Sequence, residues 1–75
     1  MQYKTLSDTQ GKFLLKCYHK IEEAFMGGTT HVYQWELVKE MKFINKILSD
    51  RQYDIYYDSD RLNSLGNLYK YITKG

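Results

Sequence analysis

Seventy-five residues carrying a net charge of +2 make a single domain, residues 1–75, and exclude the large hydrophobic core of a multi-layer enzyme. The one cysteine, Cys17, excludes an intramolecular disulfide and any multi-cysteine zinc site. No run reaches transmembrane length, and MQYKTLSD lacks the apolar centre of a signal peptide, so the expected setting is cytoplasmic, without membrane contact.

The charge is unevenly spread. Residues 1–49 hold seven lysines against five acids (+2), and residues 50–60 hold Asp50, Asp54, Asp58 and Asp60 against Arg51 (−3). Residues 61–75 hold Arg61, Lys70 and Lys74 with no acid (+3). A core drawn from so short a chain leaves a thin stability margin, which a partner or self-association can raise.

Proline is absent, so nothing forces a break in a helix. Residues 1–6 read as a frayed lead-in. Ser7-Asp8-Thr9-Gln10 is a capping box: the Ser7 hydroxyl can accept from the Gln10 N–H while the Gln10 amide reaches back. From there to Met26 the pattern is helical, with Phe13, Leu14, Cys17, Tyr18, Ile21, Ala24 and Phe25 on one face. Lys12, Lys16 and Lys20, spaced i, i+4, lie opposite and read as a solvated stripe. Gly11 sits in the first turn, where fraying makes glycine cheap, and Gly27-Gly28 ends the helix by a left-handed cap.

The stretch from Thr30 to Asp50 contains the only tryptophan and more apolar residues than one helix face can bury. Thr29 and Thr30 are candidate N-caps. Taken as one helix over 31–49, its main face is Tyr33, Leu37, Met41, Ile44 and Leu48. Val32, Trp35 and Phe43 fall on the far side among Lys39, Lys42 and Lys46. A break near Met41-Lys42-Phe43 would give a helix-turn-helix or winged-helix-like order instead, but no turn-forming residue stands there.

Tyr53–Tyr57 has strand-like content. With no evident second strand, an ordered tyrosine-rich loop over 50–58 is expected. Asp58-Ser59-Asp60 offers N-caps for a last helix over 59–73, with Leu62, Leu65, Leu68, Tyr69 and Ile72 on one face. Gly66, at the edge of that stripe, suggests a close helix approach. The expected fold is therefore a compact all-α domain of three helices, about 8–26, 31–49 and 59–73.

Chemistry is thinly represented. Cys17 and His19 point about 160° apart on one helix, so they share neither a metal nor a catalytic role from one face. Asp58-Ser59-Asp60 starts like a calcium loop, but Asn63 stands where glycine is needed and Tyr69 where the bidentate glutamate is needed. Glu22-Glu23 and Glu36/Glu40 read as solvated partners of nearby lysines. No metal, cofactor or catalytic set is expected, and the chain reads as non-enzymatic.

The leading expectation is a small protein-binding module, a regulator or inhibitor that occludes a partner's surface. Its anchors would be Val32, Trp35 and Phe43 with Lys39, Lys42 and Lys46, together with Tyr53, Tyr56 and Tyr57 in the acidic loop. Tryptophan is enriched at binding hot spots, and tyrosine supplies contact area at low entropic cost. The alternative is a DNA-binding regulator using Lys39, Lys42, Lys46 and Arg51. A homodimer formed on the surplus apolar face is a third reading.

Overall fold

The computed structural model describes residues 2–28 and 31–74. Five elements follow in chain order: β1 (Tyr3–Thr5), α1 (Asp8–Gly27), α2 (Gln34–Asp50), β2 (Gln52–Asp54) and α3 (Ser59–Lys74). The Cα radius of gyration is 12.2 Å, near the roughly 11 Å expected of a packed chain this long. Three helices dominate, as the sequence pattern requires, and a short two-stranded ribbon joins them.

The start of α1 is built by local chemistry. Ser7 is extended (φ −75°, ψ 162°) and its hydroxyl accepts from the Gln10 N–H at 3.1 Å. Gln10 Oε1 in turn accepts from the Ser7 N–H at 3.0 Å, completing the capping box. At the other end Gly28 takes φ 61° and donates its N–H to the Ala24 carbonyl, a conformation that costs glycine nothing. Between them Leu14, Cys17, Ile21 and Ala24 are buried.

The α2 helix begins three residues later than its periodicity suggests, with Tyr33 as the N-cap (φ −62°, ψ 142°). The Tyr33 carbonyl accepts from the N–H groups of Glu36 and Leu37 at 3.0 and 3.2 Å. No side chain caps this end, and the expected caps Thr29 and Thr30 lie outside the described residues. The helix runs unbroken through Lys42, so the helix-turn-helix order is not formed. It ends at Arg51, whose φ of 59° makes it the one non-glycine residue with positive φ among those described.

The ribbon corrects two expectations. Residues 1–6 are not all a frayed lead-in, and residues 50–58 are not all loop. The missing second strand is the N-terminus: β1 and β2 pair antiparallel with Tyr3 opposite Asp54, Lys4 opposite Tyr53 and Thr5 opposite Gln52. The Leu6 N–H donates to the Arg51 carbonyl at 2.9 Å and the Ile55 N–H to the Gln2 carbonyl at 3.1 Å, extending the pairing at both ends. Leu6 and Tyr53 enter the core at 3% and 7% exposure. This burial gives a three-residue ribbon the support that an isolated hairpin lacks in water.

The core is thus shared among all layers. It comprises the four α1 residues above, Leu37, Phe43, Ile44 and Ile47 of α2, Leu65 of α3, and Leu6 and Tyr53. α1 packs against both other helices, and β2 packs against α2. Gly11 is buried, contrary to its reading as a cheap, frayed position. A Cβ there would sit 3.1 Å from Arg51 Nη1 and 3.8 Å from Leu6 Cδ2. Glycine lets the Arg51 side chain lie on the first turn of α1 and reach Asp8 Oδ1 at 3.4 Å.

Candidate functional site

At 100° per residue, the residues of α2 sort into two arcs. The buried residues Phe43, Ile47, Glu40, Ile44 and Leu37 occupy about 120°, and the half-buried Leu48 and Met41 extend that arc. Trp35, Lys39, Lys42 and Lys46 fall within about 60° on the other side, and all four are exposed. Trp35 is 62% exposed and Tyr33 is 71% exposed. Their rings stack with centroids 6.3 Å apart and planes 16° from parallel. The exposed face of α2 is therefore an aromatic pair at its N-terminal end followed by three lysines about one turn apart.

Phe43 does not belong to this face. It is only 4% exposed, and the Arg61 guanidinium covers its ring at 3.9 Å from the centroid. The same guanidinium lies 3.9 Å from Glu40 Oε1. Glu40 is accordingly not a solvated helix acid: it is 8% exposed, and its Oε2 has no hydrogen-bond partner among the described residues. Burial raises the Glu40 pKa above the ordinary carboxylate value, a shift that the charges of Arg61 and Lys39 reduce. Val32 is half-buried against the core.

The tyrosines divide in the same way. Tyr53, expected in an exposed loop, is a core residue. Tyr56 and Tyr57 are 68% and 71% exposed, held outward by an interlocked acidic turn. Asp54 Oδ1 accepts from the N–H groups of Tyr56 (2.8 Å) and Tyr57 (3.2 Å). Asp58 Oδ2 accepts from the Asp54 N–H at 2.8 Å, and the Asp58 carbonyl receives the Leu62 N–H. The Asp58 carboxylate thus serves the turn rather than the end of α3. Tyr33, expected in the core from periodicity, is outside, because it precedes α2 and does not share the helix's phase.

A shallow groove of about 410 Å³ joins these regions, lined by Tyr3, Lys46, Ile47, Asp50, Gln52 and Asp58. The lysine stripe therefore runs from an aromatic pair at one end to two carboxylates and the base of the tyrosine turn at the other. Arg51 is drawn away from the stripe by Asp8. Among the described residues no three His, Cys, Asp or Glu side chains converge as metal ligands. Cys17 is fully buried, and burial pushes its thiol up to about 11, with Lys16 acting weakly against that shift. It is protonated at neutral pH, and its burial keeps solutes from the sulfur. No helix among the described residues is long and apolar enough to cross a membrane.

Comparison with protein-family models, curated proteins and solved structures finds no match. The functional reading therefore rests on this chain's own residues.

Proposed function

We propose that the protein is a non-enzymatic protein-binding module whose docking surface is the exposed face of α2, and that it regulates or inhibits its partner by covering part of the partner's surface. The observation that carries the reading is the stacked, exposed Tyr33–Trp35 pair. Burying an indole or phenol ring removes about 150–250 Å² from water, worth roughly 25 cal/mol per Å². The chain withholds two such rings from its own core while burying Phe43 on the same helix. Lys39, Lys42 and Lys46, one turn apart beside the pair, suit an acidic partner surface and would steer its approach. Tyr56 and Tyr57, held on a fixed turn, are suited to a second contact.

The nucleic-acid reading has less support. It keeps Lys39, Lys42 and Lys46 but loses Arg51 to Asp8, and Asp50 and Asp58 at the end of the stripe would repel a continuing phosphate backbone. Self-association through the same face would set three lysines against three lysines.

Affinity capture with the wild-type chain and with a Tyr33→Ser/Trp35→Ser double variant tests the proposal, after circular dichroism and sedimentation show both to be folded and monomeric. A protein recovered in stoichiometric amount by the wild type and lost with the variant is the expected result. Recovery of the same proteins by both chains, or salt-sensitive recovery of nucleic acid alone, would overturn it.

A further inference from the structure

A second surface lies between α1 and α3. A groove of about 550 Å³ is lined by Phe13 of α1 and by Leu62, Asn63, Gly66, Asn67, Tyr69 and Lys70 of α3. Phe13, expected in the core, is 41% exposed and meets Tyr69 edge to face, with centroids 5.7 Å apart and an interplanar angle of 69°.

Gly66 is the informative residue. Glycine inside a helix costs about 1 kcal/mol relative to alanine, and a close approach by another element is the usual compensation. No such approach exists here: a Cβ at Gly66 would meet nothing within 4 Å. Gly66 therefore does not mark the close helix contact that its place in the sequence suggests. It instead lines the groove, with open space where a Cβ would stand.

The groove's charge selects its occupant. Phe13, Lys16 and Lys20 share an arc of about 60° on α1, and Lys70 and Lys74 continue the Gly66 row at i+4 and i+8 on α3. After Asp60, α3 contains no acid. Lysines therefore follow both walls, and among the described residues the one ion pair they make is Lys20 with Glu23, at 3.9 Å. A second copy would bring lysine against lysine, so the complementary occupant is acidic.

We propose that this groove docks an acidic amphipathic segment of a partner protein. One large apolar side chain of the segment seats over Gly66 against the joined Phe13 and Tyr69 rings, and flanking carboxylates meet Lys70 and Lys16. The surface shares no residue with the Tyr33–Trp35 face, so the two proposals fail separately.

Selection of a displayed random peptide library on the full chain, with the selected pool then measured on Gly66→Leu, tests the assignment. Leucine there fills open space and improves helix propensity, so the variant keeps its fold. Expected is a peptide pool rich in Asp and Glu around spaced large apolar residues. Its binding should fall at least tenfold with Gly66→Leu or Lys70→Glu and stay unchanged with Trp35→Ala. In the wild-type chain, the selected peptide should shift the amide resonances of Gly66, Asn63 and Asn67, a readout that needs no variant. A pool insensitive to Gly66→Leu, a pool without acidic enrichment, or no pool above background would overturn the proposal. So would displacement of the peptide by duplex DNA or anionic vesicles at matched charge.

Discussion

Phe43 and Trp35 stand on the same helix, two turns and about 80° apart, and they meet opposite fates. Phe43 is closed over by the Arg61 side chain and joins the core, whereas Trp35 projects into solvent against Tyr33. The difference is one of neighbours rather than of hydrophobicity. α3 brings a cation to the flank holding Phe43, and the flank holding Trp35 carries Tyr33 and the exposed Lys39, Lys42 and Lys46. A surplus apolar face thus resolves into a second packing seam and an exposed aromatic residue.

Truncation should separate the two most sharply. Phe43→Ala should destabilise the protein by about 3 kcal/mol or more, a large share of the total for a domain this small. Trp35→Ala should fall within about 0.5 kcal/mol of wild type. Urea unfolding followed by far-ultraviolet circular dichroism measures both, and equal losses would break the distinction.

Removing the cover comes next. Arg61→Ala should cost about 1–2 kcal/mol, chiefly from its contact with the Phe43 ring. The 3.9 Å approach to Glu40 adds little, since Arg61 is partly in solvent. If the cation over the ring is the source, a double-mutant cycle between Arg61 and Phe43 shows coupling. Additive losses would assign the effect elsewhere.

Glu40 supplies a smaller, pH-dependent effect on the buried flank. Its folded-state pKa is raised by burial, so the folded chain holds the proton more tightly than the unfolded chain does. The stability this confers is complete below the unfolded carboxylate value and is lost as pH rises through the raised folded value. Glu40→Gln should therefore melt higher than wild type at neutral pH, with the gap closing toward acid. Thermal melts across that range check the sign, and a gap independent of pH would contradict it.

Much of the fold is legible in the residues. The capping box at Ser7 and Gln10, the Gly28 cap and the period of each helix place all three helices to within a few residues. The ribbon is not legible, because β1 is three exposed residues with no alternation, and its partner lies some fifty positions away. Only Leu6 beside β1 and Tyr53 within β2 hint at it, as apolar residues with no helix to serve.

The site was half legible. A helical projection shows two apolar arcs on α2 but cannot say which arc another element will cover. The projection therefore groups Phe43 with Trp35 and gives Tyr33, one residue ahead of the helix, a phase it does not follow. Trp35, Lys39, Lys42 and Lys46 stay together because their relation is local, set by i, i+4, i+7 and i+11 spacing. Phe43, Tyr53 and Gly11 depend on contacts from distant segments, which periodicity does not encode.

Trp35 is the chain's only tryptophan, so its fluorescence reports directly on the exposed face. In the isolated monomer the emission should lie close to that of a solvated indole, and iodide should quench it more strongly than caesium, because Lys39, Lys42 and Lys46 gather anions beside the ring. A blue-shifted emission shielded from both quenchers would place Trp35 in the core and contradict the account.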